Sequence, residues 1–86
     1  MRKWVSSAEY RLAVEVIIEA RKAKGLTQRQ VEERLGKVHH GWLAKIEVSE
    51  RQMNVIDMIA IARAIGADEM ELFDKLLRRL PDRLDV

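Results

Sequence analysis

The sequence predicts an all-α protein, a five-helix bundle that forms one domain over residues 1–86. Apolar residues recur at helical spacing in nearly every segment. No Asn-Gly or Asp-Gly turn and no sustained apolar–polar alternation suggests a strand. The composition is 48% hydrophobic and 35% charged over 86 residues, which suits a single modest core and is too apolar for a disordered tail. We place the core at about 6–80 and a short C-terminal tail at 81–86.

The first helix has a start signal and a stop signal of its own. Ser6-Ser7-Ala8-Glu9 reads as a capping box with Ser6 as the N-cap. The helix that it opens should continue to about Lys24, where Gly25 stops it. Its apolar stripe consists of Leu12, Val16, Ile17 and Ala20.

Two short helices follow, joined by an irregular segment. Thr27-Gln28-Arg29-Gln30 is a second capping box, and the helix after it ends before Gly36, with Val31 and Leu35 facing inward. The segment 37–41 is irregular. A third helix is expected at about 41–48, with apolar positions at Trp42, Leu43 and Ile46.

The last two helices are more apolar. Asn54-Val55-Ile56-Asp57 opens a fourth helix whose apolar residues cover most faces, so we expect it to be the central, most buried one, ended by Gly66. Asp68-Glu69-Met70-Glu71 starts a fifth helix, which Pro81 ends.

The charges are unevenly distributed along the chain. Residues 1–45 hold ten Lys/Arg and five Glu, whereas residues 46–86 hold six Lys/Arg and nine Asp/Glu, within a net charge of +2. A basic half of this kind favours one face for a polyanion, although an ordinary solvated surface would give the same count.

The segment 27–47 has the pattern of a helix-turn-helix, in which two short helices flank a glycine-containing turn. The N-terminus of the first helix can face a phosphate, and Gln28 there could hydrogen-bond a phosphate oxygen. The second helix must present polar side chains near its own N-terminus, where base edges are reached. His39, His40 and Lys45 meet that demand.

Several segments resemble the Cro/phage-repressor type (XRE-like) helix-turn-helix family. They are Leu26-Thr27-Gln28-Arg29-Gln30-Val31, Arg34-Leu35-Gly36, Trp42-Leu43-Ala44-Lys45-Ile46-Glu47, Glu50-Arg51, the stretch 61–68 and Glu71-Leu72-Phe73. The family's usual run is LTQ-x-x-LA-x-x-LG, a turn, and then an aromatic residue followed by [IV]-S-K-[IV]-E. The resemblance covers about residues 12–73.

The resemblance implies a lambda-repressor-like bundle that binds double-stranded DNA and regulates transcription, usually as a homodimer on a palindromic operator. By position, Gln28 would touch phosphate, and His40, Gly41 and Lys45 would face the major groove. Arg29 and Arg51 would lie near the DNA backbone, and Lys37 is a further phosphate candidate. Each of these charges could instead belong to an ordinary surface, with Lys45 paired to Glu32 or Glu33. Trp42 could stack on a DNA sugar or pack on the first helix.

Three departures from the family pattern stand out. The segment from Leu35 to Glu47 is one residue longer than usual, so the base contacts among His39, His40 and Gly41 are not assigned uniquely. Glu32 stands where the family usually has alanine, and we expect it either to reach outward to solvent or to change the helix crossing. Ser49 replaces a usual glycine, which suggests a different turn conformation.

The leucines near the C-terminus exceed what a short closing helix needs. Core packing against the first helix and a dimer interface are both open, and a dimer would set half-sites about 34 Å apart. Trp4 and Val5 could cover the same patch. The candidate interface residues are Phe73, Leu76, Leu77, Leu80 and Leu84.

Other classes of protein find little support. The chain has no cysteine, which excludes disulfides and thiolate metal sites, and no apolar run near the roughly 20 residues that a membrane span needs. No Gly-rich phosphate loop or HExxH spacing is present, so we expect no enzyme, no cofactor and no metal, and His39-His40 alone is a poor metal site. We expect a cytoplasmic transcription regulator, most simply a dimeric repressor. The alternative is a protein-interaction module, such as an antitoxin or accessory subunit, with secondary or lost DNA binding.

Overall fold

The computed structural model describes residues 7–84 and contains five α-helices, with no strand in that range. The all-α prediction is therefore confirmed, and Trp4, Val5 and Ser6 lie outside the described residues. The helices are α1 (Ala8–Ala23), α2 (Gln28–Arg34), α3 (Trp42–Glu47), α4 (Val55–Ile65) and α5 (Glu69–Arg79).

Four of the five helices begin at a side-chain N-cap in extended conformation. Thr27 and Asn54 each form a complete capping box, and the Asp68 carboxylate accepts from the amides of its own first turn. The N-cap of α1 is Ser7, whose hydroxyl accepts from the Tyr10 amide 3.2 Å away. The prediction that Ser6 is the N-cap is therefore wrong by one residue, because two adjacent serines offer the same local signal.

The core lies where the buried faces of all five helices meet. Val14, which the sequence-based stripe omitted, is fully buried with Val16 and Ile17, while Leu12 and Ala20 of that stripe are only partly buried. The other buried apolar residues are Val31, Leu43, Ile46, Met53, Met58, Ile61, Ala62, Ile65, Leu72 and Leu76.

The fourth helix is less completely buried than its composition suggests. One side of α4 packs into the core, but Val55 and Ile56 at its start are 58% and 68% exposed. The expectation of a central, most buried helix is met only in part: α4 packs against α1, α2 and α5, but these neighbours contact only part of its circumference. No helix among the described residues is long and apolar enough to cross a membrane.

Helices α1 and α4 contact each other and separate the α2–α3 pair from α5. The short helices α2 and α3 pack on each other, with α1 behind α3 and α4 behind α2. The fifth helix packs against α1 and α4. The Arg79 guanidinium fastens α5 to α1 through two bonds to the Glu19 carboxylate, at 2.8 and 2.6 Å. This arrangement leaves the outer faces of α2 and α3 available to a partner.

Candidate nucleic-acid interface

Helices α2 and α3 form a helix-turn-helix whose inner surface is completely closed. Val31 of α2 and Leu43 and Ile46 of α3 belong to the same buried cluster, and all three residues have no exposed surface. The turn between the helices includes Gly36 at φ +73° and Gly41 at φ +97°. Both values lie in the left-handed region that glycine adopts at little cost, so these residues permit the chain reversal.

The outward face of α3 is a stripe of four residues at helical spacing, which we call the α3 outer stripe: Gly41, Ala44, Lys45 and Val48. Lys45 is exposed, and no described side chain forms an ion pair or hydrogen bond with its ammonium group. The alternative that it pairs with Glu32 or Glu33 fails, because Glu32 is bound to α3 amides and Glu33 pairs with Arg29. Val48 is 62% exposed.

The turn before α3 carries further cationic or polar groups. His39 and His40 are both exposed. The Lys37 ammonium lies 4.2 Å from the centre of the Trp42 ring, a cation–π geometry. Trp42 is half-buried against the core, and the exposed Lys37 places its positive charge over the Trp42 ring.

The remaining predicted phosphate contacts come before and after α3 in the chain. Gln28 is half-buried at the start of α2, and its side-chain amide donates to the Glu47 carboxylate at 2.9 Å. A primary amide has a second N–H, which this bond leaves available. Arg29 is exposed and lies 3.6 Å from Glu33 on the same helix, and Arg51 is exposed just after α3.

Glu32 is buried rather than directed outward. Only 2% of the residue is exposed, and one carboxylate oxygen accepts from the Leu43 amide at 2.8 Å. The other oxygen accepts from the Gly41 amide at 3.4 Å and lies 3.9 Å from Nδ1 of His40. Of the two outcomes expected for Glu32, outward extension is wrong, because the first amides of α3 provide partners inside the protein.

A buried polar cluster joins α3 to the two helices before it. The Arg21 guanidinium of α1 forms a bidentate pair with the Glu47 carboxylate at 2.7 and 3.0 Å, and also donates to the Leu26 carbonyl at 2.8 Å. Arg21 and Glu47 are 9% and 6% exposed. With the bond from Gln28, one carboxylate of α3 receives donors from α1 and α2. We call Arg21, Gln28 and Glu47 the buried joint.

The end of α3 is also fixed to α1. Ser49 adopts φ +61°, and the Ser49 and Glu50 amides donate back to the Ile46 and Lys45 carbonyls at 3.0 and 2.8 Å, which completes a Schellman motif. The chain therefore takes the left-handed conformation at this position even without glycine. Arg11 donates to the Glu47 carbonyl at 2.6 Å and to the Ser49 hydroxyl at 3.2 Å.

Sequence reasoning missed part of this surface and all of its internal support. Ala44 and Val48 precede and follow Lys45 by one and three residues, so helical spacing alone could have added them to the outward face. The partnership of Arg21 with Glu47 carries no comparable signal, because 26 residues separate them.

Known proteins with a helix-turn-helix are similar to this chain in sequence and in structure. A helix-turn-helix family model matches residues 17–72, most of the described bundle. A solved structure described as an "XRE-family like protein from Pseudomonas syringae pv. tomato str. DC3000" is 35% identical. It superimposes with a TM-score of 0.78 over 86% of this chain and 89% of that one. Among curated proteins, none matches significantly. The chain therefore belongs to the XRE family of helix-turn-helix proteins, a family of DNA-binding transcription regulators.

Proposed function

We propose that this protein is a sequence-specific regulator that reads the major groove with α3 and represses transcription as a homodimer. The observation that carries the proposal is the α3 outer stripe, in which Lys45 has no ion-pair partner among the described residues and lies on a helix whose inner residues are buried. A rigid helix with a free cation on its outer face suits direct readout, because base edges are recognised by side chains in fixed positions.

The residues around the stripe divide into two roles. Lys45 and His40 can donate hydrogen bonds to base acceptors, and Ala44 and Val48 offer apolar contact to a thymine methyl group. Phosphate contacts come from cations beside α3, where they position the protein without reading sequence. These are Arg29, Lys37 and Arg51, with the free N–H of Gln28 and the imidazole of His39 as further donors.

A dimer contact on the α5 side would leave the proposed DNA face free. Leu76 is buried in the core, and Phe73 and Leu80 pack partly against it. Leu77 is 67% exposed and Leu84 is 43% exposed, so these two apolar side chains are available to a second copy. We propose that a two-fold contact on this side, where α5 packs on α1 and α4, presents two α3 helices to successive turns of a palindromic operator.

The first experiment is fluorescence anisotropy with an own-promoter duplex and a random-sequence duplex, across about 50–200 mM salt. We expect preferential binding to the promoter and a steep loss of affinity with salt. Lys45→Ala should weaken promoter binding without altering the circular dichroism spectrum. Lys75→Ala, an exposed α5 lysine with the same charge change, is the matched control and should bind as the wild type does.

The kind of DNA affinity that Lys45→Ala loses identifies the role of the Lys45 side chain. A base contact predicts a smaller preference for the promoter over random DNA, whereas a phosphate contact predicts uniform weakening and a salt slope reduced by about 1. Unchanged promoter affinity would remove Lys45 from the interface. Absence of binding to either duplex at low salt would refute the DNA-binding proposal and favour the protein-interaction alternative.

A further inference from the structure

We propose that Glu32 is a positioning residue for DNA reading, which places the first turn of α3 relative to α2 and thereby sets sequence discrimination. This inference depends on the proposed function, because it concerns how the same helix is presented to DNA. The observation behind it is that a buried carboxylate on one helix accepts hydrogen bonds from the first amides of the other.

The third helix has no N-terminal cap of its own. Gly41, the residue at its N-cap position, has no side chain, and its φ of +97° differs from the extended conformation of the other four N-caps. A serine or threonine at this position would be strained, because L side chains rarely adopt such angles. The amides at the start of α3 therefore need an acceptor from elsewhere, and Glu32 supplies it.

A cap that comes from another helix has a geometric effect that a local cap lacks. The side chain of an ordinary N-cap moves with the helix that it caps. Glu32 belongs to α2, next to the fully buried Val31, so its bonds to the Gly41 and Leu43 amides join the two helices. If these bonds are lost, the first turn of α3 can shift relative to α2 while both helices persist.

The affected turn is the part of α3 that meets base edges. Gly41 begins the α3 outer stripe, and His40 lies beside the Glu32 carboxylate at 3.9 Å. Discrimination between base pairs requires hydrogen bonds of fixed geometry, whereas attraction to phosphates tolerates small displacements. Loss of Glu32 should therefore reduce the preference for a specific sequence more than it reduces binding to DNA in general.

Glu32 and the turn before α3 both depart from the sequence pattern of the family that the chain resembles. The segment from Leu35 to Glu47 is one residue longer than the family's usual run, and Glu32 stands where that run has alanine. The long turn brings Gly41, which cannot provide a cap, to the start of α3, and the carboxylate occupies the space between the helices.

The test uses the full chain and two duplexes, one selected by the wild type from a randomised pool and one of random sequence. The variants are Glu32→Ala, the isosteric Glu32→Gln, and Glu33→Gln as the control. Glu33 is the next residue on α2, and its side chain is 64% exposed. Its substitution by glutamine removes the same charge as Glu32→Gln does. We expect Glu32→Ala to reduce the ratio of specific to random affinity by at least about fivefold, in the range of one lost base contact.

Glu32→Gln should lie between Glu32→Ala and the wild type, because an amide oxygen still accepts from Leu43 but without charge assistance. Glu33→Gln should keep the wild-type ratio, while any general gain in affinity from the removed negative charge appears equally in both glutamine variants. A folded Glu32→Ala protein that keeps the wild-type ratio would overturn the proposal.

Amide hydrogen exchange provides a second readout that does not depend on DNA. Protection of the Leu43 amide should fall in Glu32→Gln by a larger factor than the protection of amides in α4. Equal changes in both helices would contradict a local effect on α3, including in the case where Glu32→Ala does not fold. If the wild type selects no sequence from the pool, the proposed function fails. The exchange result then still decides whether Glu32 holds the start of α3.

Discussion

Removal of the Glu47 carboxylate should destabilise this protein more than the loss of any exposed ion pair. In Glu47→Ala, the buried Arg21 guanidinium loses its bidentate partner and keeps the Leu26 carbonyl, and the Gln28 amide loses its acceptor. Breaking one side of a buried pair costs about 3–5 kcal/mol, because the remaining charge is uncompensated. An 86-residue domain has only about 4–13 kcal/mol of stability in total.

The assay is urea and thermal unfolding followed by circular dichroism at neutral pH. A loss of 3 kcal/mol corresponds to a decrease in Tm of at least about 12 °C in a domain of this size. Glu33→Ala is the control, since its pair with Arg29 is more than half exposed on both sides and should contribute less than about 1 kcal/mol.

A double variant separates the burial of charge from the loss of packing. Arg21→Met combined with Glu47→Leu should be less destabilised than Glu47→Ala alone, because no unpaired charge remains inside the protein. The reasoning would be refuted if Glu47→Ala lowered the unfolding free energy by less than about 1 kcal/mol. It would also be refuted if the double variant were worse than the single one.

Three further outcomes are expected. Ser49→Gly and Ser49→Ala both lose the hydroxyl that accepts from Arg11, but only glycine relieves the φ of +61°, so Ser49→Gly should have the higher unfolding free energy of the two in urea titrations, by up to about 1 kcal/mol. The Arg79 guanidinium lowers the pKa of Glu19 below its ordinary value of 4.5, so the pair stabilises the fold above that pH and loses its effect as pH falls through the folded-state pKa. In urea titrations from pH 6 to 3, the unfolding free energy should therefore fall less for Glu19→Gln than for the wild type. An equal fall in both proteins would contradict this. Leu77→Glu should leave the fold intact and convert the proposed dimer to monomer in analytical ultracentrifugation; a variant that stays dimeric would place the contact elsewhere, and a monomeric wild type would refute the dimer.

The elements that sequence predicted well are those determined by residues close together in the chain. Thr27, Asn54 and Asp68 cap helices through bonds that reach only two or three residues, so their patterns carry the necessary information. The error at Ser6 has the same origin, since local spacing defines a helix start only to within a residue or two.

The internal support of the candidate site could not be predicted in this way. Glu32 and Glu47 are carboxylates in short, charged segments, where an exposed position is the ordinary expectation. Their burial depends on partners that the fold brings from 9–11 and 19–26 residues away. Similarly, apolar composition does not tell which side of α4 meets the core, and so Val55 and Ile56 are exposed.

Under the proposed function, the separation of inner and outer residues on α3 affects how readily this protein can acquire a new target sequence. The buried joint and the core residues Leu43 and Ile46 occupy one side of the helix, and the α3 outer stripe occupies the other. Exchange of the exposed residues Lys45 or Val48 should therefore leave the interior unchanged, since surface substitutions of this kind alter stability by less than about 0.5 kcal/mol. Specificity can diversify on a constant scaffold, which makes α3 a suitable position for libraries of altered regulators.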